Sequence, residues 1–153
     1  MGRVIFMCGP AGAGKSTVAR RLEADGFTRL SLDQEAWQRG IRIMPLPPEL
    51  RSQIRDEQRA RLVDLVTAGV DVVLDYAFWS RQEREHYRAL LRPLGIEPET
   101  IYLATPRDVV LARMRDRRTS NADDYAISND LAAAHFDAFE PPTADEGPLT
   151  VIG

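Results

Sequence analysis

Gly9-Pro10-Ala11-Gly12-Ala13-Gly14-Lys15-Ser16 is a complete G-x-x-x-x-G-K-[ST] stretch, and its lysine is the only one in the chain. The other nineteen basic residues are arginine. Glycines open backbone conformations closed to other residues, so successive N–H groups can turn inward as a nest for an anion. A compact ammonium at Lys15 suits the β- and γ-phosphates of a nucleotide, and the Ser16 hydroxyl, with Thr17 beside it, suits Mg2+. The motif needs a strand before it and a helix behind it, whose positive dipole end faces the same phosphates. Val4-Ile5-Phe6-Met7-Cys8 is a short apolar run of β-formers and reads as a buried strand. Ser16 to Ala24 carries Val18, Ala19 and Leu22 at helical spacing, with Gly26 as a stop. Motif and context together predict a nucleoside-triphosphate site built on Gly9, Ala11, Gly12, Ala13, Gly14, Lys15, Ser16 and Thr17.

The 153 residues are enough for one domain with a proper core, so residues 1–153 are expected to form a single unit. Hydrophobic content of 44% and charged content of 28% are those of an ordinary globular protein. The net charge of −3 supplies no global basic field for nucleic acid. The lone cysteine, Cys8, excludes an internal disulfide and a cysteine-based zinc site, and it is expected to pack at the end of the first strand. The N-terminal apolar run is short and leads directly into the loop, which argues against a signal peptide or a membrane span there. A cytoplasmic enzyme is the expectation.

Beyond the first helix, 27–32 reads as a second strand ending near Asp33, and 33–39 as a short helix closed by Gly40. Met44-Pro45-Leu46-Pro47-Pro48 is a stiff connector. Residues 49–68 form a long amphipathic pattern, with Leu50, Ile54, Leu62, Leu65 and Val66 on the apolar side and charges between. A continuous apolar strand follows over 70–74 and reaches Asp75. Ser80 caps a helix over 80–94, a fourth strand covers 100–104, and Pro106 opens a helix that carries Val109, Val110 and Met114 inward. After a polar stretch at 119–126, a last helix is expected over 128–139 and a last strand over 149–152. Alternating helices and short apolar strands predict an α/β domain with a parallel sheet covered on both faces. Ligands in such sheets bind beyond the carboxyl ends of the strands, which gathers the loop, Asp33 and Asp75.

Asp75 ends Val72-Val73-Leu74-Asp75, a strand-end carboxylate of the kind that holds Mg2+ directly or through water in nucleotide-binding domains. Without the loop it would read as an ordinary strand-end aspartate. Asp33 stands where a carboxylate could take the proton of an acceptor hydroxyl during in-line transfer; it also suits the N-cap of the turn that follows, and the two roles are compatible. Arg113, Arg115, Arg117 and Arg118 crowd one helix end before a polar loop. Arginines there can offset the charge of a transferring phosphoryl group from a lid spanning about 113–127, or simply stabilise a helix C-terminus. Arg113 and Arg117, four apart on one face, are the better pair for the lid role. Tyr76-Ala77-Phe78-Trp79-Ser80-Arg81 would line an acceptor pocket, and Trp37 and Trp79 suit either stacking on a substrate or core packing. His86 and His135 read as structural or surface residues, and the charges at 81–85 as a solvated helix face.

With these residues in place the chain resembles the small P-loop kinases of the shikimate-, gluconate- and adenylate-kinase type. Within that group it is most similar to the AAA_33 family, related to the zeta toxins, chloramphenicol phosphotransferase and polynucleotide 5′-kinases. The resemblance rests on Cys8 to Thr17, Ser31-Leu32-Asp33, Val73 to Arg81, Arg113 and Arg117, and Phe139-Glu140-Pro141-Pro142 with Asp145-Glu146. It implies a three-layer α/β/α domain whose five-stranded parallel sheet runs 2-3-1-4-5. It also implies ATP and Mg2+ as cofactors, Asp33 as base or substrate clamp, and an adenine wall near 140–147.

The reading these features support is an ATP-dependent phosphotransferase acting on a hydroxyl of a small molecule. Lys15 and the loop would hold the triphosphate, Ser16 and Asp75 the Mg2+, Asp33 the acceptor, and Arg113 and Arg117 the transferring group. A nucleic-acid 5′-hydroxyl is the main enzymatic alternative, disfavoured by the acidic net charge. A nucleotide-sensing module that turns over ATP slowly and switches a partner is the reading from another class. A GTPase is disfavoured, because no Asn-Lys-x-Asp segment exists. The acceptor's identity and the oligomeric state are not legible here.

Overall fold

Val4–Cys8 forms β1 and is buried at all five positions, so its alternating side chains feed two cores. Val4, Phe6 and Cys8 join a cluster with Leu30, Leu62, Leu74 and Tyr87. Ile5 and Met7 join another with Ala13, Ala19, Phe27 and Val73. This two-sided burial is what a central strand between helical layers requires. The computed structural model describes residues 1–10, 12–42, 46–116 and 129–153.

Along the chain, β1 is followed by α1 (Lys15–Ala24), β2 (Thr28–Leu30), α2 (Leu32–Gln38), α3 (Pro48–Thr67), β3 (Val72–Leu74) and α4 (Arg81–Leu91). Then come β4 (Glu99–Leu103), α5 (Arg107–Asp116), α6 (Asn129–Ala138) and β5 (Leu149–Ile152). The five strands form one sheet in the order β2-β3-β1-β4-β5, with every pairing parallel. Phe6 sits between Leu74 and Thr100 in register. The sheet order implied by the resemblance is the one observed. Among the described residues no helix is long and apolar enough to cross a membrane.

The boundaries move for local reasons. The strand expected over 27–32 pairs only from Thr28 to Leu30, because Ser31 leaves the sheet to cap α2, its Oγ accepting from Gln34 N at 3.1 Å. The strand expected over 70–74 pairs only from Val72, since Asp71 Oδ1 accepts from Arg3 N at 2.8 Å. The helix expected over 80–94 keeps its Ser80 cap but ends at Leu91. Pro93 lacks the N–H to continue it, so Arg92–Leu94 tightens into a single 3-10 turn. Most of the expected lid, with Arg117, and the start of the helix expected at 128 lie outside the described residues.

The charges at 81–85 are only in part a solvated face: Arg81 and Glu85 are exposed, but Arg84 is not. Arg84 is fully buried, and its guanidinium makes an ion pair at 2.8 Å with Glu146, which Arg88 also reaches at 3.1 Å. Arg84 Nη1 donates at 2.6 Å to the carbonyl of Phe78. The carboxylate needed to bury these cations comes from the turn before β5, too far along the chain for a periodicity to reveal it.

Candidate active site

The phosphate loop leaves β1 at Gly9, whose N–H donates to the Ala77 carbonyl at 3.1 Å, tying it to the segment after β3. Gly12 and Gly14 take φ of 84° and 100°, the left-handed region open to glycine. At Gly12 a Cβ would also stand 3.0 Å from Met114 Sδ and 3.1 Å from the Val110 carbonyl, so the loop backbone packs directly on α5. Thr105 Oγ1 donates to the Ala13 carbonyl at 2.8 Å, and Arg113 Nη1 to the Gly12 carbonyl at 3.2 Å. Arg113 therefore lies against the loop, whereas Arg117 and Ala11 fall outside the described residues. Helix α1 opens at Lys15 with no side-chain cap and no acidic residue in its first turn. Its orphan N–H groups and dipole are thus left to serve an anion held by the loop.

Asp75 meets this loop from β3. Ser16 Oγ donates to its Oδ2 at 3.2 Å. Arg29, on the neighbouring strand β2, donates to the same oxygen from Nε at 3.0 Å and Nη2 at 2.6 Å. The other carboxylate oxygen, Oδ1, is buried without a hydrogen-bond partner. An orphaned carboxylate oxygen beside a serine hydroxyl fits a hard divalent cation, so Ser16 and Asp75 suit Mg2+. No cluster of three or more His, Cys, Asp or Glu gathers among the described residues, so such an ion would complete its shell with phosphate oxygens and water. Arg29 was not singled out from the sequence; a lone arginine in a short strand gives no signal of its partner.

A cleft of about 900 Å³ opens here and is lined by Lys15, Asp33, Asp75, Tyr76 and Trp79 among others. Its size is that of a small-molecule site. Asp33 stands exposed in the first turn of α2, and the cap of that helix is Ser31, not Asp33. The two tryptophans separate: Trp79 lines the cleft at 45% exposure, whereas Trp37 lies under Arg42, whose guanidinium sits 3.5 Å from the ring centre. His86 and His135, read from the sequence as structural or surface residues, are exposed and line the cleft.

The floor is rigid. Phe78 is fully buried with φ of 47°, a strained value for a residue with a side chain, and its ring stacks on Phe6 at 4.4 Å. Its carbonyl is held by Arg84, and Cys8 Sγ lies 3.5 Å away from it. Burial pushes the Cys8 thiol up to about 12, against the opposing pull of Arg84, which leaves it inert. Tyr76 donates to Gln58 Oε1 at 2.7 Å, and Gln58 Nε2 donates to the Ser31 carbonyl at 3.0 Å, linking the segment after β3 to the start of α2. Burial raises the Tyr76 hydroxyl well above its ordinary value, so it stays a donor. Asp145 and Glu146, expected near an adenine wall, are both engaged by arginines of α4.

Sheet order, loop and strand-end carboxylate define a P-loop domain of the kinase type. The chain belongs to the AAA_33 family (AAA domain), whose family model matches residues 4–142. Among solved structures it is similar to a gluconokinase from Sinorhizobium meliloti 1021, at 22% identity and TM-score 0.66, covering 99% of this chain and 81% of that one. A sugar kinase from Janibacter sp. HTCC2649 matches at 21% identity and TM-score 0.68, with 99% and 85% covered. A chain of the Pnkp1/Rnl/Hen1 RNA repair complex matches at 16% identity and TM-score 0.77, covering 90% of this chain and 43% of that one. No curated protein matches the sequence.

Proposed function

We propose that the protein is a cytoplasmic ATP-dependent phosphotransferase that moves the γ-phosphoryl group of ATP·Mg2+ to a hydroxyl of a small molecule. One observation carries this reading: Lys15 and Asp75, on the phosphate side, line the same cleft as Asp33. In the step, the acceptor oxygen bonds to the γ-phosphorus as the bond to the β,γ-bridging oxygen breaks. ADP departs, and the hydroxyl proton passes to the Asp33 carboxylate. Lys15 and the α1 amides hold the phosphates in line, and Arg113, with Arg117 from the lid, offsets charge on the transferring group. Mg2+, when held by Ser16 and Asp75, supplies neutralisation of the phosphate oxygens. The likeness to a gluconokinase and a sugar kinase supports a small hydroxylated acceptor. The likeness to the RNA repair complex favours a polynucleotide 5′-hydroxyl as the second reading.

Transfer of labelled γ-phosphate to pooled nucleosides, sugars, aminoglycoside and phenicol antibiotics, and 5′-hydroxyl oligonucleotides tests this. Asp33→Asn is expected to bind ATP normally and to lose transfer by about 100-fold or more. Lys15→Ala is expected to abolish nucleotide-dependent activity. Normal transfer by Asp33→Asn would sink the base assignment. Slow release of free phosphate, equal in wild type and Asp33→Asn, would favour a nucleotide switch instead.

A further inference from the structure

Three successive carbonyls in the segment after β3 are each held by a different part of the chain. The Ala77 carbonyl accepts from Gly9 N–H of the phosphate loop at 3.1 Å. The Phe78 carbonyl accepts from Arg84 Nη1 of α4 at 2.6 Å, with Cys8 Sγ at 3.5 Å. The Trp79 carbonyl accepts from Glu140 N–H, just beyond α6, at 2.7 Å. Ala77 and Trp79 line the cleft, and Phe78 between them is turned into the core at a φ of 47°. The phosphate loop, α4 and the chain after α6 therefore meet on consecutive peptides whose middle residue is strained.

Peptide planes are rigid, so Phe78 relaxes only by rotation of the planes on either side of it. The plane before it carries the Ala77 carbonyl, and the plane after it carries its own. The two are coupled, because a residue with a side chain is allowed only certain pairs of φ and ψ. Once the following plane is free to turn, φ leaves the left-handed region by turning the preceding plane, as in the exchange between two turn types. That motion takes the Ala77 carbonyl off Gly9 N–H. A strained angle persists only where its surroundings over-determine it. The buried ring fixes where Phe78 sits but not the planes that flank it. Arg84 fixes the following plane and is itself immobilised. Its Nε and Nη2 donate to the two oxygens of Glu146 at 2.8 Å and 3.3 Å. Glu146 is held in turn by Thr143 N–H at 2.9 Å and by Arg88 at 3.1 Å. A planar guanidinium can grip a carboxylate with two donors and a carbonyl with a third, which an ammonium cannot.

We infer that Arg84, held by Glu146, is a positioning residue for the site: by fixing the Phe78 carbonyl it keeps the Ala77 carbonyl on the phosphate loop and Trp79 on the cleft wall. The loop and the wall then share one strained residue, and what orders one orders the other. The effect is reciprocal, so nucleotide at the loop favours the strained conformer by the same factor as that conformer favours nucleotide. The consequence for the acceptor wall rests on the phosphotransferase reading; the link to the phosphate loop stands without it.

Residue-resolved amide exchange by NMR on the full chain tests this. Arg84→Lys keeps the charge beside Glu146 but cannot grip the carboxylate and the Phe78 carbonyl together. Relative to the amides of β1 in the same protein, those of Gly9 and Glu140 are expected to exchange faster by about tenfold or more. The Kd for the β,γ-imido analogue of ATP with Mg2+ is expected to rise about tenfold, and saturating analogue to restore protection at Gly9. Arg88→Lys is the control, since Arg88 shares Glu146 but sends its other donor to Thr100 Oγ1 at 3.3 Å. It should leave the ratio of Gly9 to β1 exchange unchanged. Glu146→Asp, which draws the carboxylate back from Arg84, should move that ratio in the same direction as Arg84→Lys, and it carries the test if Arg84→Lys does not fold. Protection lost at Gly9 and β1 together, or equal effects from Arg84→Lys and Arg88→Lys, makes the contact purely structural and overturns the assignment. Unchanged protection at Gly9 overturns it as well. Local loss at Gly9 with weakened nucleotide binding, in a protein that phosphorylates no acceptor, keeps the positioning role and removes the phosphotransferase reading.

Discussion

Arg29 directs two hydrogen bonds, of 3.0 Å and 2.6 Å, at a single oxygen of Asp75 and leaves the other oxygen without a partner. Both side chains are only 2% exposed. A buried pair of this kind costs much desolvation to assemble, and breaking it costs more, because the survivor stays buried and charged. The geometry divides one carboxylate into two halves: Oδ2 is held by Arg29 and Ser16, and Oδ1 is buried without a hydrogen-bond partner.

Two substitutions separate those halves. Arg29→Met is expected to lower unfolding free energy in urea by about 3 kcal/mol by stranding the Asp75 charge. Asp75→Asn keeps the shape of the site but weakens its claim on a cation. Affinity for the β,γ-imido analogue of ATP, measured with and without Mg2+, is expected to rise with the metal in wild type and to rise much less in Asp75→Asn. An equal response in the two proteins would remove Asp75 as a magnesium ligand.

Glu146 makes stability depend on acid pH. Burial opposes its ionisation, but the hydrogen bond from Arg84, the N–H of Thr143 and the contact with Arg88 outweigh this and hold its carboxyl at about 2, below the ordinary 4.5. A depressed carboxylate value stabilises the folded state fully above 4.5, and the contribution is lost as pH falls from 4.5 toward 2. Glu146→Gln is therefore expected to be less stable than wild type by about 3 kcal/mol at neutral pH. The gap should narrow steadily below 4.5. Urea midpoints across pH check this; a gap that stays constant to the lowest pH would mean that Glu146 acts by shape and not by charge.

The legible part of the molecule is the part whose chemistry is local. Gly12 and Gly14 announce the loop because their left-handed φ favours glycine, at Gly12 also beside a packed α5, and β1 announces itself because burial on both faces forces five apolar residues in a row. Asp75 could be placed because it ends an apolar run. What stayed hidden are polar groups whose partners lie far along the chain. Arg84 is separated from Glu146 by 62 residues and Arg29 from Asp75 by 46, so hydropathy treats each as solvated. The α3 arginines were visible as charges between apolar positions, but only the packing of α3 beside α4 shows that three of them share one cleft. Gln58, buried on the same helix, is explained by Tyr76 and by the Ser31 carbonyl, neither of which a helical period predicts.

Phe78 supplies a prediction in which two effects oppose each other. Its side chain is fully buried against Phe6, Tyr76 and Tyr87, so truncation to alanine or glycine should cost about 3–5 kcal/mol. Glycine ordinarily loses a further 0.5–1 kcal/mol or so to the entropy of the unfolded chain. Here the φ of 47° reverses the order, since an alanine at that angle carries a left-handed penalty of about 1–2 kcal/mol that glycine escapes. Phe78→Gly is thus expected to be more stable than Phe78→Ala by roughly 0.5–1 kcal/mol in urea unfolding. The strain also has a functional side, because the same segment carries Tyr76, Ala77 and Trp79 into the cleft. Glycine frees that backbone, so Phe78→Gly should raise the acceptor KM more than Phe78→Ala despite its greater stability. Should alanine prove both the more stable and the weaker binder, the left-handed angle at 78 is neither a cost to the fold nor a device for holding the cleft wall.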